Sequence, residues 1–198
     1  MVAGIIPHLM ALMSNKSSKQ FALSMLCDVG HLSKVRAELW KHSLLDSLLA
    51  LLAEDFWCVG ALDAICSWLH DETAKVEEVL VQSANISRLV KVFEESSVTS
   101  FGNLVEPYLD LVKTSAEFAR RIVSDAEFIA LLLDRLKQSK SVMVRVGLVK
   151  LLNALQEHQT ITAEHIAKYK LKSVLEQLQS DQKVLIQEIA TQMLEKIA

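Results

Sequence analysis

The 198 residues carry a formal net charge of −3, with 21 Lys and Arg against 24 Asp and Glu, so no overall basic surface is available to displace counterions from a nucleic acid. Half the chain is hydrophobic and its mean hydropathy is +0.27, yet the longest apolar runs, 48–53 and 128–133, are six residues, far short of the roughly 20 that cross a membrane. Two prolines and five glycines leave few breakers to separate strands, and the composition favours helices.

In chain order, residues 1–13 superficially look like a signal peptide, but they lack a basic leader and are interrupted by Pro7 and His8. They read as a core helix that starts abruptly on Ile5, Ile6, Leu9, Met10, Leu12 and Met13. Segments 34–42, 43–53 and 56–70 follow, the last with Phe56, Val59, Leu62, Ile65 and Leu69 on one helix face. The same order, a charged-apolar segment, a Leu-rich segment and a long helix, returns at 75–83, 85–94 and 99–115. It returns again at 117–123, 125–137 and 141–158, where Val142, Val146, Val149, Leu152 and Leu155 form the stripe. A weaker copy runs 161–168, 169–178 and 181–197, with Val184, Leu185, Ile189, Met193 and Ile197. No segment alternates with period two between hairpin turns, so no strand is expected.

The first segments start at Lys34, Lys75 and Glu117, 41 and 42 residues apart. Periods of about 40–47 residues with two or three helices each mark armadillo and HEAT arrays. The expected fold is therefore all-α: a right-handed, armadillo-type solenoid of about four repeats and ten or more helices. Its groups are a partial repeat over 1–31, then 34–70, 75–115, 117–158 and a Gln-rich capping repeat over 161–197, within one domain spanning 1–198. The uncovered start suggests a piece of a longer protein, in which Ile5, Leu9, Leu12 and Met13 stay partly exposed and drive self-association. Pro107 is expected to bend or break the helix over 99–115.

No catalytic or metal constellation is visible. His8, His31, His42, His70, His158 and His165 are scattered and read as solvated or capping groups, with no zinc-type spacing. Cys27, Cys58 and Cys66 form no CxxC pair and read as buried free thiols of a reducing, cytoplasmic or nuclear compartment. A protein-kinase catalytic domain would need a Gly-rich loop, an HRD-type loop and a DFG segment, none of which these residues contain. No cofactor is expected. The clusters Lys168, Lys170 and Lys172 around Tyr169, and Arg120 with Arg121, read as solvated faces.

The candidate binding surface lies on the third helices, which line the concave face of such arrays. Its polar stripes are Gly60, Asp63 and Ser67, bordered by Trp57 and Trp68; Asn103, Glu106, Asp110 and Lys113; and Arg145, Lys150, Asn153 and Glu157. A kink at Pro107 would widen the concave face beside Glu106 and Asp110, which makes that patch the preferred one. Trp57 is included because tryptophan is a frequent interface anchor, although core positions for both tryptophans fit the pattern too.

Three segments go beyond a generic helical repeat. Trp57, Val59, Ala61, Leu62, Asp63 and Ile65 make a W-x-V-x-A-L-D-x-I core; Lys75, Val76, Glu77 and Leu80 make K-V-E-x-x-L; Glu106, Pro107, Tyr108 and Leu109 make E-P-Y-L. In this order and spacing they resemble the non-catalytic C-terminal repeats of the mitogen-activated protein kinase kinase kinase epsilon family, with its fungal septation-initiation and mitotic-exit kinases. The resemblance implies a serine/threonine kinase whose catalytic domain lies upstream. It also implies partners such as a small Ras-like GTPase or a scaffold, and recruitment from the cytoplasm to a spindle pole or division site. The chain itself would be a docking or regulatory array without enzymatic activity. The rival reading is an unrelated armadillo adaptor that holds an extended peptide along its concave groove.

Overall fold

The computed structural model describes residues 4–30, 33–125 and 127–197. The readings of the Cys27 thiol and of His31 lie outside what it describes. Among the described residues there are fourteen helices and no strand. The chain divides into two compact units, residues 1–80 and 81–198, each taken here by itself.

The first unit holds α1 (Ile6–Leu12), α2 (Lys19–Gly30), α3 (Ser33–Lys41), α4 (Leu44–Leu51), α5 (Asp55–Asp71) and α6 (Thr73–Leu80). Pro7 stands in the first turn of α1, where its missing N–H would have had no intrahelical acceptor. Helix α1 packs on α2, burying Ile6, Leu9 and Met13 on one face. This corrects the expectation that Leu9 and Met13 stay partly exposed; Ile5 and Leu12 do so. Leu9 is 4% exposed, whereas Ile5 and Leu12, at the margin of that face, are 45% and 42% exposed. By helical period residues 5, 9, 12 and 13 share one side of α1, but α2 covers only part of it, so Leu9 and Met13 are buried while Ile5 and Leu12 are not. Ser43 takes the left-handed conformation (φ 50°) and turns the chain sharply from α3 into α4. Helix α5 packs against α2, α4 and α6 and carries Ala61, Leu62, Ile65 and Leu69 at no exposure. Trp40 and Trp68 stack with ring centres 5.0 Å apart, and the Trp40 indole N–H donates to Glu72 at 2.5 Å.

The second unit holds α7 (Ser83–Glu95), α8 (Val98–Thr114), α9 (Ala116–Ser124), α10 (Phe128–Gln138), α11 (Val142–Glu157), α12 (Ala163–Lys168), α13 (Leu171–Leu178) and α14 (Val184–Ile197). Hydroxyl caps start four of them. Ser97 accepts the Ser100 N–H, Ser115 that of Phe118, Ser141 that of Val144, and Thr162 that of His165. His165 returns the favour by accepting from Thr162, closing a capping box. Lys170 (φ 51°) makes the left-handed turn between α12 and α13, as Ser43 does between α3 and α4.

The long helices form the spine of this unit: α8 packs on α11, and α11 on α14. Gly147 allows the first contact, because a Cβ there would come within 2.5 Å of Val105 Cγ1. Beside it Phe93, Phe101, Tyr108 and Phe128 form an aromatic cluster with neighbouring ring centres about 5 Å apart, and the Tyr108 hydroxyl donates to the Leu89 carbonyl at 2.7 Å.

Two further expectations need correcting. Of the bend or break expected at Pro107, the break does not occur: α8 is one helix, Val98–Thr114. The proline deprives the Asn103 carbonyl of one rung, but Asn103 is exposed to water, while Leu104, Val105, Tyr108 and Leu109 are buried and hold the turn in place. The apolar stripes also begin too early: Phe56 is 74% exposed, and Val142, Val184 and Leu185 protrude at the first turns of their helices.

Candidate functional site

The residues expected to meet a partner fall into two sets. In the first unit, Trp57 is half-buried: Phe56 meets its ring edge-on at 4.8 Å, and the Lys19 ammonium lies 5.5 Å from the ring centre. Lys19 is also paired with Glu54 at 2.8 Å, which ties the start of α2 to the start of α5. Asp63 is exposed and Ser67 half-buried. Trp68, read as a border of this stripe, is instead a core residue stacked on Trp40, the outcome its helical pattern also permitted.

In the second unit, Asn103, Glu106, Asp110 and Lys113 recur at helical spacing on α8; Asp110 is half-buried and the other three are exposed. They form one continuous polar face. The α11 residues behave differently. Arg145 is engaged by the carboxylate of Asp181, whose side chain is almost fully buried, so this guanidinium ties α11 to the turn before α14. Asn153 donates to Glu157 at 2.9 Å, and Glu157 lies 3.8 Å from Lys196. These groups serve helix-to-helix order first.

The structure adds a site that sequence reasoning missed. A cleft of about 510 Å³ opens where the end of α10, the start of α11 and the first turn of α8 meet. Phe101 and Val144 supply its apolar wall, and Arg135, Gln138, Ser139, Lys140 and Ser141 its polar one. Arg135 reaches across to α7, where its Nη2 donates to the carbonyls of Phe93, Glu94 and Ser96 at 3.1, 2.5 and 2.8 Å. The guanidinium carbon sits 4.4 Å above the Phe101 ring. Burial pushes Arg135 below its ordinary pKa, and the charge of Glu94 opposes that shift. In the sequence, Arg135 looked like any surface charge on an amphipathic helix, and 138–141 like a polar connector. Nothing local signals a reach of some 40 residues back along the chain.

The chemistry of the rest is quiet. Burial, then the charge of Asp55, hold the Cys58 thiol up at about 11, so it stays protonated and non-nucleophilic at neutral pH. Among the described residues no group of three His, Cys, Asp or Glu side chains is arranged to hold a metal, and no helix is long and apolar enough to cross a membrane. Arg120 pairs with Glu117 at 2.7 Å, and Arg121 donates to the Val81 carbonyl at 3.3 Å.

Among the described residues the chain belongs to the all-α class. No protein-family model matches it. Curated relatives do. It is 32% identical to MAP3K epsilon protein kinase 1 of Arabidopsis thaliana over 206 residues, which is 98% of this chain and 15% of that protein. It is 32% identical to cytokinesis protein sepH of Aspergillus terreus over 199 residues, 97% of this chain and 15% of that protein. With cell division control protein 7 of Schizosaccharomyces pombe it shares 26% over 196 residues, 98% of this chain and 18% of that protein. The chain thus matches, along nearly its whole length, a region of this kinase family outside the kinase domain. It spans about 15% of the first two relatives. Of the motif residues singled out in the sequence, Ala61, Leu62, Ile65, Val76, Leu80, Tyr108 and Leu109 are buried.

Proposed function

We propose that the chain is the non-catalytic, protein-binding and regulatory region of a serine/threonine kinase acting in septation, cytokinesis or mitotic exit. The observation that carries this reading is the match of 97–98% of the chain to one relative named a protein kinase and to others named for cytokinesis and cell division, of each of which it is only a short part. The region docks a small Ras-like GTPase, a scaffold or the kinase domain itself, and recruits the cytoplasmic kinase to the spindle pole or division site. Its helices group as α3–α5, α6–α8, α9–α11 and α12–α14, each group ending in a long helix, and this order supports four armadillo-type repeats of a right-handed solenoid. The polar face Asn103, Glu106, Asp110 and Lys113 is the partner surface best supported, since three of its four side chains are exposed. Trp57, Asp63 and Ser67 are the candidate face of the first unit.

Deleting this region from the full-length protein, with the kinase domain intact, tests the proposal. Loss of the tagged protein from the division site, with undiminished phosphotransfer to a generic substrate in vitro, is the expected result. A deleted protein that still localises and completes division would refute a recruiting role.

A further inference from the structure

The Arg135 cleft lies on the side of α8 that carries Phe101, away from the polar face, and its chemistry is more selective. We propose that this cleft takes an extended segment of a partner protein bearing an Asp or Glu carboxylate flanked by bulky apolar side chains. The proposal rests on the reading of the chain as a protein-binding region.

Charge complementarity carries the argument. No carboxylate lines the cleft, while Arg135 and Lys140 both do. Arg135 spends a single nitrogen, Nη2, on its three carbonyls, and its Nε and Nη1 meet no acceptor among the described residues. Its plane is held by those bonds and by the Phe101 ring, so the remaining donors are fixed in direction before any ligand arrives. Lys140 is exposed and likewise meets no acceptor among the described residues. Helix α11 begins at the cleft, and its first amides have no intrahelical acceptor, which adds about half a positive charge there. Glu94 acts on Arg135 but does not line the cleft.

The apolar half of the ligand follows from the wall and the ledge. Phe101 and Val144 line the cleft, and Val142 and Met143, 46% and 79% exposed, stand at the first turn of α11. Methionine adapts its unbranched side chain to varied apolar partners. The volume falls within the range of about 300–1,000 Å³ typical of small-ligand pockets, room for a few side chains rather than a helix face. A carboxylate fits better than a phosphate, because phosphate sites gather several free arginine forks and here one fork is already partly used.

The test is a nuclear magnetic resonance titration of the 198-residue chain with acetyl-Leu-Glu-Glu-Leu-Phe-amide, and with the same peptide carrying Gln in place of Glu. The Glu peptide should shift the amides of residues 139–144 and Phe101, and bind about fivefold more tightly than the Gln peptide at low salt. Lys140→Glu, at an exposed position, should remove that preference. Arg135→Lys keeps the charge but loses the planar group that the three carbonyls and the Phe101 ring hold in place, and should weaken the Glu peptide while circular dichroism shows the helices intact. Equal binding of the two peptides, shifts confined to other helices, or an unchanged preference in Lys140→Glu would each overturn the proposal. Binding of a phosphoserine peptide alone would overturn it too. If the peptides fail while deletion of the whole region still delocalises the kinase, the cleft is wrong and the recruiting role stands.

Discussion

Gly147 and Gly102 both sit where α8 and α11 cross, and alanine should have opposite effects at the two positions. At Gly147 an added Cβ would lie 2.5 Å from Cγ1 and 3.5 Å from Cβ of Val105. Val105 is 2% exposed and β-branched within a helix, so its side chain has essentially one rotamer and cannot swing aside. Relief requires the two helices to separate or the valine to leave its well, and overpacking of this kind costs about 1–3 kcal/mol. Replacing a helical glycine by alanine returns about 1 kcal/mol. The close approach places the cost in the upper half of its range, so Gly147→Ala should lose about 1–2 kcal/mol net. At Gly102 the added Cβ would rest at 3.5 Å from Val144 Cγ2, an ordinary contact, so Gly102→Ala should gain up to about 1 kcal/mol. Urea denaturation followed by circular dichroism reads both as midpoint shifts at constant slope, and melting should move by about 2–4 °C per kcal/mol. Adding Val105→Ala to Gly147→Ala should cost much less than Val105→Ala alone, because the new methyl fills part of the space vacated. Stabilisation by Gly147→Ala equal to that of Gly102→Ala, or strict additivity in the double variant, would refute the account of this contact.

At the N-terminus, Leu9→Ala should lose about 2–3 kcal/mol, seen as faster hydrogen exchange in α1 and α2, while Leu12→Ala stays within about 0.5 kcal/mol. Equal losses would mean that the faces of α1 are wrongly assigned. Cys58 should resist iodoacetamide at pH 8 in the folded chain and react once unfolded in urea. Its folded value of about 11 lies above the usual thiol value of about 8.5, so the unfolded state ionises first. The thiol's contribution to stability is therefore whole below about pH 8.5 and falls away as pH rises toward 11, a loss that Cys58→Ala should abolish; rapid alkylation of the folded chain at pH 8 would contradict the burial.

Helix content and helix order were legible in the sequence because a 3.6-residue apolar period leaves a mark in every long segment, as at Leu62, Ile65 and Leu69. Kinship was legible too, in three ordered motifs between Trp57 and Leu109 that combine buried packing residues with exposed Asp63, Lys75 and Glu106. Only the tertiary structure decided which apolar residue of a stripe is covered. Leu9 and Leu12 are the same residue three positions apart, and what separates them is the presence of α2 on one side. It also decided that Pro107 is tolerated, because buried neighbours hold a turn that the local sequence disfavours. Arg145 and Arg135 make the same point about charge. Each is one arginine on an amphipathic helix, yet one is matched by a buried Asp181 and the other is spread over three carbonyls with donors to spare. Pairing is a property of distance in space, and the chain separates these partners by about 40 residues.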